Sequence, residues 1–206
     1  MVNTIFIVRH AESESNAKRY YGGWTDSPLT ELGLKQAESL KKRFDHEEIG
    51  RVFCSDSKRA RDTLKLLDLN CPVEFAPELR ERYYGSLEGK YYDDDPQAKR
   101  HHADPLAKAP GNGESAQQVQ RRVWNYFQEK IFTAKEESIL VLTHHGPIVT
   151  FACKFLQMPL RRWRAFKVGN ASVSILIKEE GLWRITLWNS LSSLGLKSYG
   201  PLLEQE

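Results

Sequence analysis

The segment TIFIVRH at residues 4–10 and the segment SILVLTHHG at residues 138–146 decide the fold of this chain. Each is an apolar run of strand length that arginine or histidine follows almost at once. Such runs are typical of strands buried on both faces of a parallel sheet. Ligands of open α/β sheets bind at the carboxyl ends of the strands. The two segments therefore predict two strands that are each followed by a histidine, with both histidines at one pocket.

Strand and helix patterns alternate along the rest of the chain. Thr30 is a suitable N-cap for a helix, because an acidic residue follows it. The last two strands are joined through Glu180-Gly181, which predicts a hairpin. Further strands are predicted over residues 51–54, 73–75, 171–177 and 183–188, and helices over residues 30–44, 58–67, 117–132 and 148–156. The alternation indicates an α/β fold with a largely parallel sheet.

Length and composition are those of one globular domain with an insertion. The 206 residues are 40% hydrophobic and 28% charged, a balance that argues against disorder. We expect a single domain over residues 1–206, with an excursion over residues 83–114 that is rich in Tyr, Asp, His, Pro and Gly. Long loops in compact domains are usually functional. We expect this excursion to cap the site.

The same composition disfavours several classes of protein. Three well-separated cysteines argue against a disulfide framework and favour a cytoplasmic protein. The apolar run at residues 5–8 is too short for a signal sequence. No run approaches the about 20 apolar residues of a membrane-spanning helix. The net charge of +3 is too small to indicate nucleic-acid binding, so the basic stretch at residues 161–167 is expected to be an exposed connection.

The polar residues after the two strands are compatible with more than one kind of site. A metal site would need further ligands, which His101-His102 and Asp93-Asp94-Asp95 could contribute. The motifs of a serine hydrolase elbow and of a P-loop are absent. The remaining possibility is phosphate bound by arginine and histidine together. Arg9 offers a planar fork for phosphate oxygens and His10 a nitrogen nucleophile.

Seven segments, in order along nearly the whole chain, resemble the histidine phosphatase superfamily, also called the phosphoglycerate mutase-like family. Any one of them is a weak match, whereas seven in order are specific. They are VRHAESESN (8–16), GGWTDSPLTELGLKQA (22–37), SDSKRARDT (55–63), LRERYYGSLEG (79–89), GNGES (111–115), LTHHGPI (142–148) and NASVSIL (170–176). The resemblance implies a three-layer α/β/α sandwich around a mostly parallel mixed sheet, with a short cap insertion.

The resemblance also implies a mechanism of phosphoryl transfer through a phosphohistidine. His10 would be the nucleophile, and Glu81 would protonate the leaving alkoxide and then activate water. The phosphoryl oxygens would be surrounded by Arg9, Arg59 and His144. The residues expected to bind substrate are Asn16, Gly23 and Tyr84. The resemblance implies no metal and no cofactor.

The sequence departs from the family pattern at two positions in these segments. Ala11 replaces the usual glycine after the first histidine, which is a small change. His145 stands where glycine is usual, so the register of the second histidine has to be decided. The family places an aliphatic residue four positions after that histidine, and Ile148 is four after His144. We therefore choose His144, with His145 as the lesser candidate, either solvent-facing or on the substrate side.

Three functions remain open at this point. The short insertion, and Tyr92 where mutase members carry a basic residue, favour a phosphatase that hydrolyses a small phosphate ester. The alternatives are a cofactor-dependent phosphoglycerate mutase and a catalytically silent interaction module. The basic run at residues 99–102 could bind a second anionic group or be a solvated charge run. The sequence indicates neither the physiological substrate nor the oligomeric state.

Overall fold

The computed structural model describes residues 1–93, 96–104 and 106–191, and of His102 only the backbone. The strands in these ranges are β1 Thr4–Arg9, β2 Arg51–Cys54, β3 Val73–Phe75, β4 Ser138–Thr143, β5 Val173–Glu179 and β6 Leu182–Ser190. The α-helices are α1 Glu14–Ala17, α2 Glu31–Phe44, α3 Lys58–Leu67, α4 Pro96–Ala103, α5 Ala116–Tyr126 and α6 His145–Phe155. The predicted strand positions agree with this order to within about two residues, as boundaries generally do.

The strands form one sheet in the order β3-β2-β4-β1-β5-β6. The strands β1 to β4 run parallel to one another, whereas β5 is antiparallel to both of its neighbours, β1 and β6. In the hairpin between β5 and β6, Glu180 and Gly181 both have positive φ, at 50° and 83°, as a two-residue type I′ turn requires. The predicted mixed, mostly parallel sheet and its closing hairpin are confirmed.

Helices cover both faces of the sheet, because the side chains of a strand alternate between faces. One face of β1 and β4 packs against α5 and α6, through Ile5, Ile7, Ile139, Val141, Val119, Val123, Ile148 and Phe151. The other face packs against α2 and α3, through Phe6, Val8, Leu140, Leu142, Ala37, Leu40, Ala60 and Leu64. The three-layer α/β/α sandwich is confirmed.

Two helices differ from their predicted bounds for identifiable reasons. The α-helix predicted to run to residue 132 ends at Tyr126 and continues as a π-turn over Phe127–Ile131. Its apolar residues recur every four positions, more than the 3.6 of an α-helix, and the wider turn keeps Ile131 buried. Helix α6 begins at His145, earlier than predicted. Pro147 is tolerated there because the first helical turn has no intrahelical partner for its N–H groups.

The excursion at residues 83–114 contains a 3₁₀ turn at Gly85–Leu87 and the helix α4, which the sequence did not predict. It packs against the loop after α1, where the Tyr21 hydroxyl donates to the Ala98 carbonyl oxygen at 3.2 Å. Tyr21, Leu87 and Ala98 form a small apolar cluster there. Of the described helices, none has the length and apolar character needed to cross a membrane.

Candidate active site

Two histidines meet where β1 and β4 end side by side. Arg9 is paired with Thr143 in the parallel register, and the next residues along the two strands are His10 and His144. The two imidazole centroids lie 4.9 Å apart, and both rings are buried. The parallel register thus brings the ends of the two segments at residues 4–10 and 138–146 together at one edge of the sheet.

His10 presents one ring nitrogen as a lone-pair donor. Its Nδ1 lies 2.7 Å from the carbonyl oxygen of Ala11, which can only accept, so Nδ1 carries the hydrogen. Nε2 accepts a hydrogen bond from Arg59 Nε at 3.3 Å. Burial, with the charges of Arg59 and Arg9, holds the pKa of His10 well below its usual value. The neutral ring therefore keeps its Nε2 lone pair.

Arg59, which is buried, and Arg9, which is partly buried, place two cations on the pocket that this nitrogen lines. Arg59, at the second position of α3, donates to the carbonyl oxygen of Gly23 at 2.7 Å, and Arg9 donates to that of Val168 at 2.6 Å. Neither forms a salt bridge with a carboxylate of the described residues. Burial lowers the pKa of both guanidinium groups, although arginine remains charged at neutral pH. Among the lining residues these two cations face one carboxylate, that of Glu81, and the excess of positive charge favours an anionic ligand.

Gly23 has a backbone that leaves no room for a side chain. Its φ is +27°, and an added Cβ would lie 1.8 Å from Glu88 Oε1. The Glu88 carboxylate accepts hydrogen bonds from the backbone N–H groups of Trp24, Thr25 and Tyr84. Glu88 therefore ties the glycine loop to the start of the excursion.

His144 lies beneath the pocket rather than on its wall. It is the N-cap residue of α6 and is fully buried. Its Nε2 lies 2.8 Å from Ser55 Oγ and 3.2 Å from Ser57 Oγ, while its buried Nδ1 has no hydrogen-bond partner among the described residues. Burial and the charge of Arg59 hold the pKa of His144 well below its usual value.

Asn16 is oriented by its neighbours so that its amide nitrogen is left to donate. Its Oδ1 accepts from Ser13 N at 3.1 Å, from Ser13 Oγ at 3.0 Å and from Asn170 Nδ2 at 3.0 Å. Because three donors converge on this atom, it must be the amide oxygen, and the other terminal atom of Asn16 must be the amide nitrogen. Asn170 also donates to the carbonyl oxygen of His10 at 3.2 Å, so it holds both residues.

Glu81 is held at the opposite side by the start of α6. The Gly146 N–H lies 3.1 Å from each carboxylate oxygen, and the Arg82 N–H donates to Oε1 at 2.8 Å. A helix N-terminus stabilises a negative charge placed there. A Cβ on Gly146 would lie 2.1 Å from Glu81 Oε1, so this contact requires glycine.

The pocket collects most of the residues that the sequence predicted, and some that it did not. Its lining consists of Arg9, His10, Ser15, Asn16, Tyr20, Gly22, Gly23, Arg59, Glu81, Tyr84, Tyr92 and His145. Burial raises the pKa of Tyr84 and Tyr92, so both phenols stay protonated and can donate. His145, predicted as the lesser candidate, lines the pocket on the substrate side, whereas His144 does not reach its surface.

Residues 99–101 of the basic run take no part in this lining. Lys99 and Arg100 are exposed on α4, and His101 is buried against the rings of Tyr21 and Tyr84. Within the described ranges, no group of three or more His, Cys, Asp or Glu side chains is arranged to hold a metal ion. Asp94, Asp95 and the His102 side chain, which the sequence offered as possible ligands, lie outside the described part of the chain.

The positioning residues were the ones that sequence reasoning missed. Ser55, Ser57, Gly146 and Asn170 all lie in segments that resemble the family, but none was singled out there. A pair of serines two residues apart after a strand, and an asparagine before the closing strand, were the available signals. Their partners lie at least 65 residues away in the chain, so only the fold reveals the contacts.

Known proteins resemble this chain along almost its whole length. A metal-independent phosphoserine phosphatase from Arabidopsis thaliana is 32% identical over 203 residues, which cover 94% of this chain and 84% of the relative. An adenosylcobalamin/alpha-ribazole phosphatase from Salmonella typhimurium is 31% identical over 193 residues, covering 90% of this chain and 96% of the relative. The alpha-ribazole phosphatase structure from Shigella flexneri superposes with a TM-score of 0.82 at 26% identity, covering 92% and 97% of the two chains.

The family assignment rests on the chain as a whole. The sequence profile of the histidine phosphatase superfamily (branch 1) matches residues 5–191. That range includes both strand ends, both arginines, the asparagine and the glutamate of the pocket. This chain is therefore a histidine phosphatase and belongs to branch 1 of that superfamily.

Proposed function

We propose that the protein is a metal-independent phosphomonoester hydrolase that acts on a small phosphorylated metabolite through a phosphohistidine. The observation that carries this proposal is the surroundings of His10 Nε2. A neutral, buried imidazole nitrogen with a fixed lone pair faces a pocket that also holds two guanidinium groups without a carboxylate partner among the described residues. Such a pocket binds a phosphate dianion and offers it a nucleophile.

In the first step, His10 Nε2 attacks phosphorus in line while the bond from phosphorus to the ester oxygen breaks. Arg9, Arg59 and the Asn16 amide bind the equatorial oxygens, where charge is spread in the transition state. Glu81, protonated at this stage, gives its proton to the leaving alkoxide. The His10 ring keeps its Nδ1 hydrogen, and the Ala11 carbonyl oxygen stabilises the positive charge that develops on the ring.

In the second step, the ionised Glu81 takes a proton from water, and the oxygen of that water attacks phosphorus. The bond between phosphorus and Nε2 breaks, the electron pair returns to the imidazole, and orthophosphate leaves. The Gly146 N–H donates to the Glu81 carboxylate at the N-terminus of α6, and this position stabilises the ionised form of Glu81. We propose that His144 supports the phosphoryl site from beneath, through its ring contact with His10 at a centroid distance of 4.9 Å.

We further propose that residues 83–114 act as a cap within a single domain over residues 1–206. The wall positions of Tyr84 and Tyr92, which both lie in that segment, support this role. Tyr92 occupies the position of a basic residue in mutase members and cannot supply a cation for a second acidic group. This favours hydrolysis over a mutase reaction. The names of two relatives described above, a phosphoserine phosphatase and an adenosylcobalamin/alpha-ribazole phosphatase, point the same way.

A phosphoenzyme measurement tests the proposal. The protein is incubated in EDTA with an isotopically labelled phosphate ester and quenched in alkali, where phosphohistidine survives. We expect an acid-labile label and release of orthophosphate in the native protein, and neither in His10→Ala. His46→Ala, at an exposed histidine, is the matched control and should behave as the native protein.

Full turnover by His10→Ala would overturn the phosphohistidine step. Hydrolysis that requires an added divalent cation would overturn the metal-independent reading. Exchange of phosphate between hydroxyl groups that depends on a bisphosphate primer would establish the mutase alternative instead.

A further inference from the structure

A second cavity opens beside the phosphate pocket. Glu81, Tyr84 and His145 line both spaces and form their shared wall. The other residues of the second cavity are Arg82, Ala116, Val119, Gly146, Val149, Thr150 and Trp163. Since Glu81 has to protonate the leaving oxygen, the carbon attached to that oxygen must start at this wall. The second cavity is therefore where the alcohol portion of an ester can extend.

The lining of this cavity is apolar where it is not already hydrogen-bonded. Ala116 and Val119 come from α5, Val149 comes from α6, and the Trp163 indole forms a side. Thr150 Oγ1 donates to the Gly146 carbonyl oxygen at 2.8 Å. These surfaces match an apolar body better than a charged one.

The arginines near the cavity either donate their hydrogen bonds to other groups of the protein or lie outside the cavity. The Arg82 guanidinium donates to the carbonyl oxygens of Glu114 and Ala107 and lies over the Tyr84 ring. Arg161, Arg162 and Arg164 are exposed and do not contribute to the lining. A carboxylate on the alcohol would lie in the same cavity as the Glu81 carboxylate, and the Arg82 N–H groups beside it already donate to carbonyl oxygens. Losing its water there would therefore be costly.

His145 is the residue that makes this wall particular to the chain. Its ring meets the Trp163 ring edge-on, with centroids 5.7 Å apart and an interplanar angle of 80°. Burial and the charge of Arg9 lower its pKa to about 4, against the opposing effect of Glu81, so the ring is neutral at pH 7. The neutral His145 ring therefore presents an aromatic surface to the second cavity.

We infer that the second cavity is a leaving-group subsite that selects phosphate esters of uncharged alcohols with an aromatic or aliphatic body, and that His145 and Trp163 determine this selectivity. The inference rests on the proposed function, because it places the leaving oxygen at Glu81. It assigns a chemical class of substrate, namely monoesters such as arylalkyl phosphates, over phosphorylated hydroxy acids and amino acids.

Steady-state kinetics on four alkyl esters tests the inference: 2-phenylethyl phosphate, ethyl phosphate, 3-phosphoglycerate and O-phosphoserine. All four are alkyl esters, which avoids the good leaving groups of aryl phosphates. We expect kcat/KM for 2-phenylethyl phosphate to exceed that for either charged ester by about ten-fold or more, as one well-filled apolar contact provides. Equal rates, or a preference for a charged ester, would overturn the inference and leave the proposed hydrolysis intact.

Two variants test whether His145 and Trp163 cause the preference for 2-phenylethyl phosphate. Trp163→Ala should raise KM for 2-phenylethyl phosphate by about ten-fold and leave KM for ethyl phosphate nearly unchanged, which also shows that the variant is folded. His145→Gly should reduce the preference in the same direction. Trp183→Ala, a partly buried tryptophan on β6 outside both cavities, is the matched control. Equal losses on both esters would contradict a role in selectivity.

A binding measurement separates the subsite from the chemistry. Calorimetric titration of His10→Ala with 2-phenylethyl phosphate and with 3-phosphoglycerate reports affinity without turnover. Tighter binding of the first ester supports the subsite even if no ester is hydrolysed by the native protein, a result that would overturn only the proposed function. Equal affinity would overturn the subsite.

Discussion

At the scale of single residues, the pocket depends on contacts with little tolerance. The Gly146 N–H holds both oxygens of Glu81, and the Asn170 amide holds both Asn16 and the His10 carbonyl oxygen. Neither Gly146 nor Asn170 is a nucleophile or a proton donor to the ester. Each acts by fixing the position of a group that is.

Gly146→Ala should impair catalysis without unfolding the protein. The new Cβ would lie 2.1 Å from Glu81 Oε1, so the carboxylate must move away from the leaving oxygen. We expect kcat to fall by about 100-fold or more, the range of a lost general acid. Gly50→Ala is a suitable control, because its Cβ would meet the Glu136 side chain and the Ser138 carbonyl oxygen, neither of which lines the pocket. Unchanged kcat in Gly146→Ala would contradict the role given to Glu81.

Asn16 and Asn170 should be coupled. Removing either side chain loses the same group, the oriented amide nitrogen of Asn16. Asn16→Ala, Asn170→Ala and the double variant should therefore lower kcat/KM by similar factors. This corresponds to a coupling energy of about 1 kcal/mol between the two residues. Asn170→Asp should raise KM further, because a carboxylate only accepts and would turn the Asn16 oxygen towards the phosphate. Asn3→Ala, at an exposed hydrogen-bonded asparagine, is the control. Additive losses would show that the two residues act separately.

At the scale of elements, the start of α2 is fastened to the segment that follows β1. Thr30 caps the helix by accepting from the Gly33 N–H at 3.0 Å, and its hydroxyl donates to Glu12 Oε1 at 2.8 Å. The Thr30 N–H donates to the Glu12 carbonyl oxygen. The helix therefore stays close to the strand end from which the catalytic residues emerge.

Gly33→Ala should destabilise the protein, although replacing glycine by alanine inside a helix usually stabilises it by about 1 kcal/mol. The added Cβ would lie 2.0 Å from the Glu12 carbonyl oxygen, a backbone atom that cannot move aside alone. We expect urea unfolding to show a loss of about 2 kcal/mol or more. Glu38→Ala, at an exposed position of the same helix, should change the free energy of unfolding by less than about 0.5 kcal/mol. A gain in stability for Gly33→Ala would contradict the tight packing of α2.

The helix α6 shows a limit of sequence reasoning at this scale. His145-Gly146-Pro147 has the composition of a loop, and the sequence placed the helix start after it. The structure starts the helix at His145, which makes His144 the N-cap and directs the Gly146 N–H at Glu81. Proline and glycine fit a first helical turn when a tertiary partner takes the free N–H groups.

At the scale of the whole molecule, folding holds three histidines in their neutral form, two of them buried and His145 partly buried. The pKa of His10, His144 and His145 is lowered in each case, first by burial and then by nearby arginines. In the unfolded chain each would titrate near its ordinary value of about 6.5. Below that pH the unfolded state binds more protons than the folded state, so the stability falls as the pH falls.

Urea unfolding between about pH 7.5 and pH 5 should reveal this linkage. We expect the free energy of unfolding to decrease by about 1 kcal/mol per pH unit for each of the three histidines below about pH 6.5. His145→Asn should remove one such contribution over the range from about 6.5 down to its folded pKa of about 4. His46→Ala, at an exposed histidine, should leave the slope unchanged. An unaltered slope in His145→Asn would mean that His145 is not buried in its neutral form.

The order of the six strands and of the helices α2, α3, α5 and α6, the three layers and the family could all be predicted from the sequence. They depend on local periodicity and on motifs, such as the apolar runs before His10 and His144, that a chain displays without folding. The contacts that position Glu81, Asn16 and His144, and the place of His145 on the pocket wall, were decided only by the tertiary structure. Each of these contacts joins groups from distant parts of the chain. The pairing of β2 with β4 brings Ser55 to His144, and the pairing of β1 with β5 brings Asn170 to Asn16.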